Sequence, residues 1–130
     1  MNYGFLVLGA PYSTQAAHSA LRLAEALPRR GHRAASVFFY HDGVFNGAAA
    51  MTPPQDEPHL LERWQQLAIQ QQCELLVCVA AGARRGILDA RESARYGLSA
   101  PTLAKGFRLA GLSELIMAQQ ASDRFITFAP

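Results

Sequence analysis

Short runs of apolar, β-branched and aromatic residues alternate with segments of helical periodicity along the whole chain, which constrains the fold more than any other feature. Residues 3–8 are an apolar run ended by Gly9-Ala10-Pro11, the pattern of a buried strand followed by a turn. Ser13 and Thr14 are candidate caps for a helix with Ala17, Ala20, Leu21, Ala24 and Leu27 on one face, closed by Pro28 and Gly31. Residues 35–40, rich in aromatic and β-branched side chains, predict a second strand.

Residues 41–58 are rich in Gly, Ala and Pro, and a connection this long in a small domain is often functional. Pro58 suits the first turn of a helix carrying Leu60, Leu61, Trp64, Leu67 and Ala68. The clearest strand is 74–79, continuously apolar after Glu74. Beyond Gly82 the spacing predicts a helix over 89–96, a short strand over 107–109, a helix capped by Ser113 and a last strand over 124–128. No internal repeat or low-complexity tract interrupts this order. Strands separated by helices imply an α/β fold with a mainly parallel sheet of about five strands, covered on both faces. Ligand sites in such sheets lie outside the carboxyl ends of the strands.

At 130 residues the chain has room for one domain, residues 1–130. Half of it is hydrophobic and 17% is charged, which excludes a disordered chain. Twelve Lys and Arg against ten Asp and Glu leave a net charge of +2, too balanced for a dedicated nucleic-acid binder. The first residues carry an apolar run without a cationic lead, so no signal peptide is expected. No apolar stretch approaches the roughly 18 residues needed to span a bilayer. A cytoplasmic domain making no direct contact with nucleic acid or membrane is the expectation.

Cys73 and Cys78 bracket the clearest strand. Five residues of strand span about 16 Å, whereas a disulfide needs Cα atoms within about 7 Å. Their odd spacing also sends the side chains to opposite faces, so neither a disulfide nor a shared metal site is expected. Cys73, at the amino end, reads as a small buried hydrophobe. Cys78 lies at the carboxyl end and is followed by Val79-Ala80-Ala81-Gly82-Ala83-Arg84-Arg85-Gly86. A helix beginning near Gly82 and the two arginines would favour a thiolate there. On residue chemistry alone, a reactive Cys78 and a packed strand cysteine both remain open.

A cysteine hydrolase would need a histidine base, and His41 is the one histidine at a carboxyl strand end. His41-Asp42-Gly43 reads first as a turn with a side-chain-capped Asp, the common role of an Asp-Gly pair. His18, His32 and His59 read as surface residues, and Arg91 and Arg95 as either anion ligands or a solvated helix face. Gly9-Ala10-Pro11-Tyr12-Ser13-Thr14 matches neither G-x-G-x-x-G nor G-x-x-x-x-G-K-[ST], so no nucleotide motif is present.

Several stretches resemble the DsrE/TusD family of sulfur-relay proteins over essentially the whole chain. They are Phe38-Phe39-Tyr40-His41-Asp42-Gly43-Val44, the helix around Trp64-Gln65-Gln66-Leu67-Ala68, Cys78-Val79-Ala80-Ala81 with Arg84-Arg85-Gly86, Gly111-Leu112-Ser113-Glu114-Leu115, and Ser122-Asp123-Arg124-Phe125. The resemblance implies a three-layer Rossmann-like domain and a sulfurtransferase activity in which Cys78 carries a persulfide. It further implies a hetero-hexamer with DsrF-like and DsrH-like subunits, two copies of each, exchanging sulfur with a DsrC-like carrier in dissimilatory sulfur oxidation. A TusD-like relay toward tRNA 2-thiouridine and a non-catalytic scaffold are the alternatives. Arg84 and Arg85 are candidate stabilisers of the sulfur anion, His41 and Asp42 candidates for the site rim, and no metal or organic cofactor is expected.

Overall fold

A computed structural model describes residues 1–130, with five strands and five α-helices that alternate except for two consecutive helices between the third and fourth strands. These are β1 (Asn2–Val7), α1 (Ala16–Ala26), β2 (Arg33–Phe39), α2 (Leu60–Gln71), β3 (Glu74–Cys78), α3 (Val79–Arg84), α4 (Ala90–Arg95), β4 (Phe107–Ala110), α5 (Leu112–Ala121) and β5 (Arg124–Phe128). Short 3-10 segments, Leu27–Arg30 and His41–Gly47, follow α1 and β2. The strands form one sheet in the order β4-β3-β2-β1-β5, and every pairing is parallel. The chain therefore steps from β1 to β4 in one direction and returns through α5 to the opposite edge.

The expected α/β class, parallel sheet and strand number are all observed, but the two faces are covered unequally. One face presents Phe5 and Val7, Val37 and Phe39, and Leu75 and Val77, paired across the strands and all buried. It receives α1, α2 and α3: Phe39 meets Trp64 edge-on at 5.2 Å, and Gly82 packs toward Val77. The other face carries α5, whose end stands so close to β1 that any Cβ on Gly4 would strike the Ser122 hydroxyl. No residue of α5 is fully buried, and Ile116 and Met117 are more than half exposed.

Four helix starts differ from expectation. Gln15, not Ser13 or Thr14, occupies the cap position of α1, without a side-chain cap bond. Thr14 is turned inward against Gly9, and its Oγ1 is buried with no hydrogen-bond partner. Gly111, in extended backbone, precedes α5, so Ser113 lies inside the helix. The third, α3, starts directly at Val79, because Ala81 and Gly82 are small enough to bring the helix backbone down onto the sheet. The fourth, α2, starts at Leu60 and not at Pro58, with His59 as its cap accepting from the Glu62 N–H, and the 41–58 connection before it opens as a 3-10 helix. None of these helices is long and apolar enough to cross a membrane.

Candidate functional site

The connections from β3 and β4 leave the sheet on opposite faces, α3 toward the α1/α2 side and α5 toward the other. Adjacent parallel strands whose connections diverge leave a crevice at their carboxyl ends, where α/β proteins place their ligands. Cys78 stands at that point: it is the last residue of β3 and pairs in register with Ala110, the last of β4. Beside it lies a cavity of about 230 Å³ floored by Val79, Leu109, Ala110 and Gly111.

Cys78 is also the residue immediately before α3, in the cap position (φ −57°, ψ 120°). The first-turn N–H groups of a helix lack intrahelical acceptors and favour negative charge in front of them. The strand pleat puts Cys78 on the same face as Leu76, the face that carries α5. Its residue exposure is 2%, so an incoming protein thiol reaches it only if the crevice opens. Cys73 has a different setting just before β3, also as a free and buried thiol. Burial pushes its pKa up to about 12, against a smaller opposing pull from Arg33. The two environments separate the cysteines as their spacing implied: one at the carboxyl edge of the sheet, one packed at the amino end.

The 3-10 helix starting at His41 continues from the carboxyl end of β2, next to β3. His41 adopts a left-handed conformation (φ 50°), and its ring lies 4.5 Å from that of Tyr40. It forms no side-chain hydrogen bond, and none links it to Cys78, so the geometry of a hydrolase dyad is not assembled. Asp42 accepts from Arg85 Nε at 2.8 Å, while Arg85 Nη1 donates to the Ala81 carbonyl at 3.1 Å. Arg84 is the last residue of α3, about 9 Å along the helix axis from Cys78. The structure thus joins Asp42 to Arg85, and it sets the roots of both arginines at the end of α3 away from the thiol.

Residues not singled out in the sequence hold this edge together. Asn46 is fully buried; its amide donates to the carbonyls of Gly9 (3.2 Å) and Gly43 (2.8 Å) and accepts from Trp64 Nε1 (3.2 Å). One side chain therefore fastens the loops after β1 and β2 to α2. The available signal was Trp64 itself, since a buried indole N–H needs an acceptor. The rim of the cavity beside Cys78 is formed by Asp89, Arg91, Glu92 and Glu114. Asp89 caps α4 through the Glu92 N–H, and Glu114 is bound by Arg108 at 2.8 Å. Arg91 has no carboxylate partner.

Comparison with known proteins places this geometry in a family. The chain is 42% identical to DsrE of Allochromatium vinosum over 98% of each chain. It is 46% identical to the sulfurtransferase TusD of Salmonella newport, over 98% of this chain and all of the relative. The crystal structure of the ychN protein from E. coli shares the fold, with a TM-score of 0.74 at 22% identity, covering 98% of this chain and 99% of that one. The DsrE/DsrF-like family pattern matches residues 1–128, and the chain belongs to that family.

Proposed function

We propose that this protein is a sulfur-relay sulfurtransferase in which Cys78 receives sulfane sulfur as a persulfide and passes it to a partner thiol. The observation that carries this reading is the position of Cys78: carboxyl end of β3, start of α3, beside the crevice where β3 and β4 diverge. Sulfurtransferase activity is supported by TusD relatives at 46–47% identity across nearly the whole chain.

In the loading step the Cys78 thiolate attacks the outer sulfur of a donor persulfide, R–S–SH. The S–S bond of the donor breaks, Cys78–S–SH forms, and R–S⁻ leaves with the bonding pair. An acceptor thiolate then attacks the outer sulfur of Cys78–S–SH, and Cys78 departs as thiolate. Sulfur oxidation state is exchanged between the two chains, so the cycle needs no external oxidant, metal or organic cofactor. A persulfide holds its outer sulfur about 2 Å beyond Sγ, so the transferable atom is not confined to the position of the buried thiol. The first-turn amides of α3 would stabilise the anion at each step, whereas Arg84 and Arg85, rooted at the far end of α3, would contribute only if their side chains turn back toward the thiol.

The proposal extends to what the family resemblance implies: assembly with DsrF-like and DsrH-like subunits and exchange with a DsrC-like carrier in sulfur oxidation, within the cytoplasm; what supports this part is the 42% identity to a relative named DsrE. Similar identity to TusD keeps open the alternative that the resemblance implies, a relay toward tRNA 2-thiouridine. The chemistry at Cys78 is the same in both, and the co-purifying acceptor distinguishes them.

Intact-mass spectrometry after exposure to a persulfide donor tests the proposal on wild type, Cys78→Ser and Cys73→Ser. The expected result is a gain of about 32 Da, removed by dithiothreitol, in wild type and Cys73→Ser only. No adduct on Cys78 in the assembled complex would overturn it in favour of a scaffold subunit.

A further inference from the structure

A second concave site lies on the outer surface of the helices, away from Cys78. The cleft between α1 and α2 has a volume of about 400 Å³ and is lined by His18, Arg22, Glu25, Ala26, Arg29 and Arg63. Three separate segments supply its cations: Arg22 from α1, Arg29 from the following 3-10 turn and Arg63 from α2. Glu25 is its single carboxylate, and it is already engaged, accepting from Arg63 Nε at 2.9 Å and Nη2 at 2.6 Å. That bidentate pair fixes the Arg63 guanidinium at the wall of the cleft. Arg22 and Arg29 have neither an ion pair nor a side-chain hydrogen bond. With the Arg63–Glu25 pair neutral overall, the cleft keeps two unpaired guanidiniums in a chain whose whole net charge is only +2.

We infer that this cleft binds a multiply charged oxyanion of the diphosphate class. The planar guanidinium fork matches phosphate oxygens in pairs, and it stays charged at any physiological pH. Arg22 in α1 and Arg29 in the 3-10 segment after it offer two separate guanidiniums, which suits an anion with two linked charged groups better than a single phosphate. Ala26 is the only apolar residue of the lining and no Phe, Tyr or Trp is part of it, so recognition rests on the guanidinium charges, with the His18 imidazole as the one ring at the cleft. Arg22 and Arg29 are exposed and the sheet lies beneath the helices, so their occupancy is independent of the chemistry at Cys78.

Isothermal titration of the full chain with inorganic pyrophosphate, at constant ionic strength, tests this inference. One-to-one binding is expected, weakened at least about tenfold in Arg22→Gln/Arg29→Gln. Lys105→Gln/Arg124→Gln removes the same charge elsewhere and is expected to change affinity by less than about threefold. Arg22→Lys/Arg29→Lys, which keeps charge and fold but not the fork, should fall between the two. Inorganic phosphate should bind more weakly than pyrophosphate. Absence of saturable binding, equal loss in the control variant, or equal affinity for phosphate would each overturn the inference, whatever the sulfur chemistry proves to be.

Discussion

Arg85 donates from Nε to Asp42 Oδ1 at 2.8 Å, linking the end of α3 to the 3-10 helix that follows β2 across 43 residues of sequence. Both segments leave the carboxyl edge of the sheet, and the Ala81 carbonyl holds the same guanidinium at 3.1 Å. The pair therefore sets where α3 lies relative to the neighbouring loop, and α3 begins at Cys78. Asp42 is 63% exposed, so solvent screens most of its attraction to Arg85. Asp42→Asn should change unfolding free energy by less than about 1 kcal/mol. Persulfide transfer by Cys78 should nevertheless slow several-fold. Urea denaturation and transfer kinetics on the same variant separate the two effects, and an unchanged rate would reduce the pair to a surface contact.

Asn46 is the costlier residue to lose. Asn46→Ala leaves the buried Trp64 N–H without an acceptor and removes a donor from the carbonyls of Gly9 and Gly43. Each orphaned buried group costs about 1–3 kcal/mol, so the variant should be destabilised by about 2–4 kcal/mol in urea unfolding. Trp64 fluorescence follows the same transition, and a loss below about 1 kcal/mol would mean that the loops repack around the gap.

Gly43 occupies a different kind of constraint. A Cβ there would run into the backbone carbonyl of Val7, which belongs to β1 and cannot yield like a flexible side chain. Gly43→Ala should lower stability by about 1–3 kcal/mol, as overpacking does in tight interiors. At Gly97 an added methyl meets open space, and the cost comes only from a left-handed backbone (φ 71°). Gly97→Ala should therefore cost about 1 kcal/mol. Thermal unfolding of the two variants should rank them in that order.

The Cys73 thiol ionises near 12 in the folded chain because it is buried, against an ordinary value of 9.0. Above the ordinary value the unfolded chain has released this proton while the folded chain still holds it. Stability from this group is thus intact at neutral pH and declines as pH rises from 9.0 toward about 12, by at most about 1.4 kcal/mol per unit. Cys73→Ala should flatten that alkaline slope relative to wild type in pH-dependent unfolding. Alkylating reagents at neutral pH should leave Cys73 untouched until denaturant is added.

Chain order and local periodicity were enough to read the strands, because a parallel sheet buried on at least one face writes continuous apolar runs such as 74–78 directly into the sequence. The last strand, Arg124–Phe128, was legible to the residue from its aromatic and β-branched content, although it is an edge strand with no buried residue. Helix starts were less legible. Thr14 and Ser113 have the chemistry of caps, but Thr14 is drawn inward beneath Gly9, and Gly111 already supplies the turn into α5. Local propensity yields there to how closely neighbouring backbones must approach.

For the site, the sequence by itself determined that Cys73 and Cys78 cannot act together, since five residues of strand are rigid and their side chains alternate. It also placed Cys78 at a carboxyl strand end. Only the tertiary structure decided which neighbour that end receives. The order β4-β3-β2-β1-β5 sets β4 beside β3 and sends α3 and α5 to opposite faces, opening the crevice at Cys78 and Ala110. Asp42 with Arg85, Asn46 with Trp64 and the arginines of the α1/α2 cleft are likewise brought together by strand order and helix packing, across separations that no local pattern encodes. A strand's face and ends follow from two-residue alternation along the chain, whereas its partners depend on which arrangement buries the most apolar surface for the whole molecule.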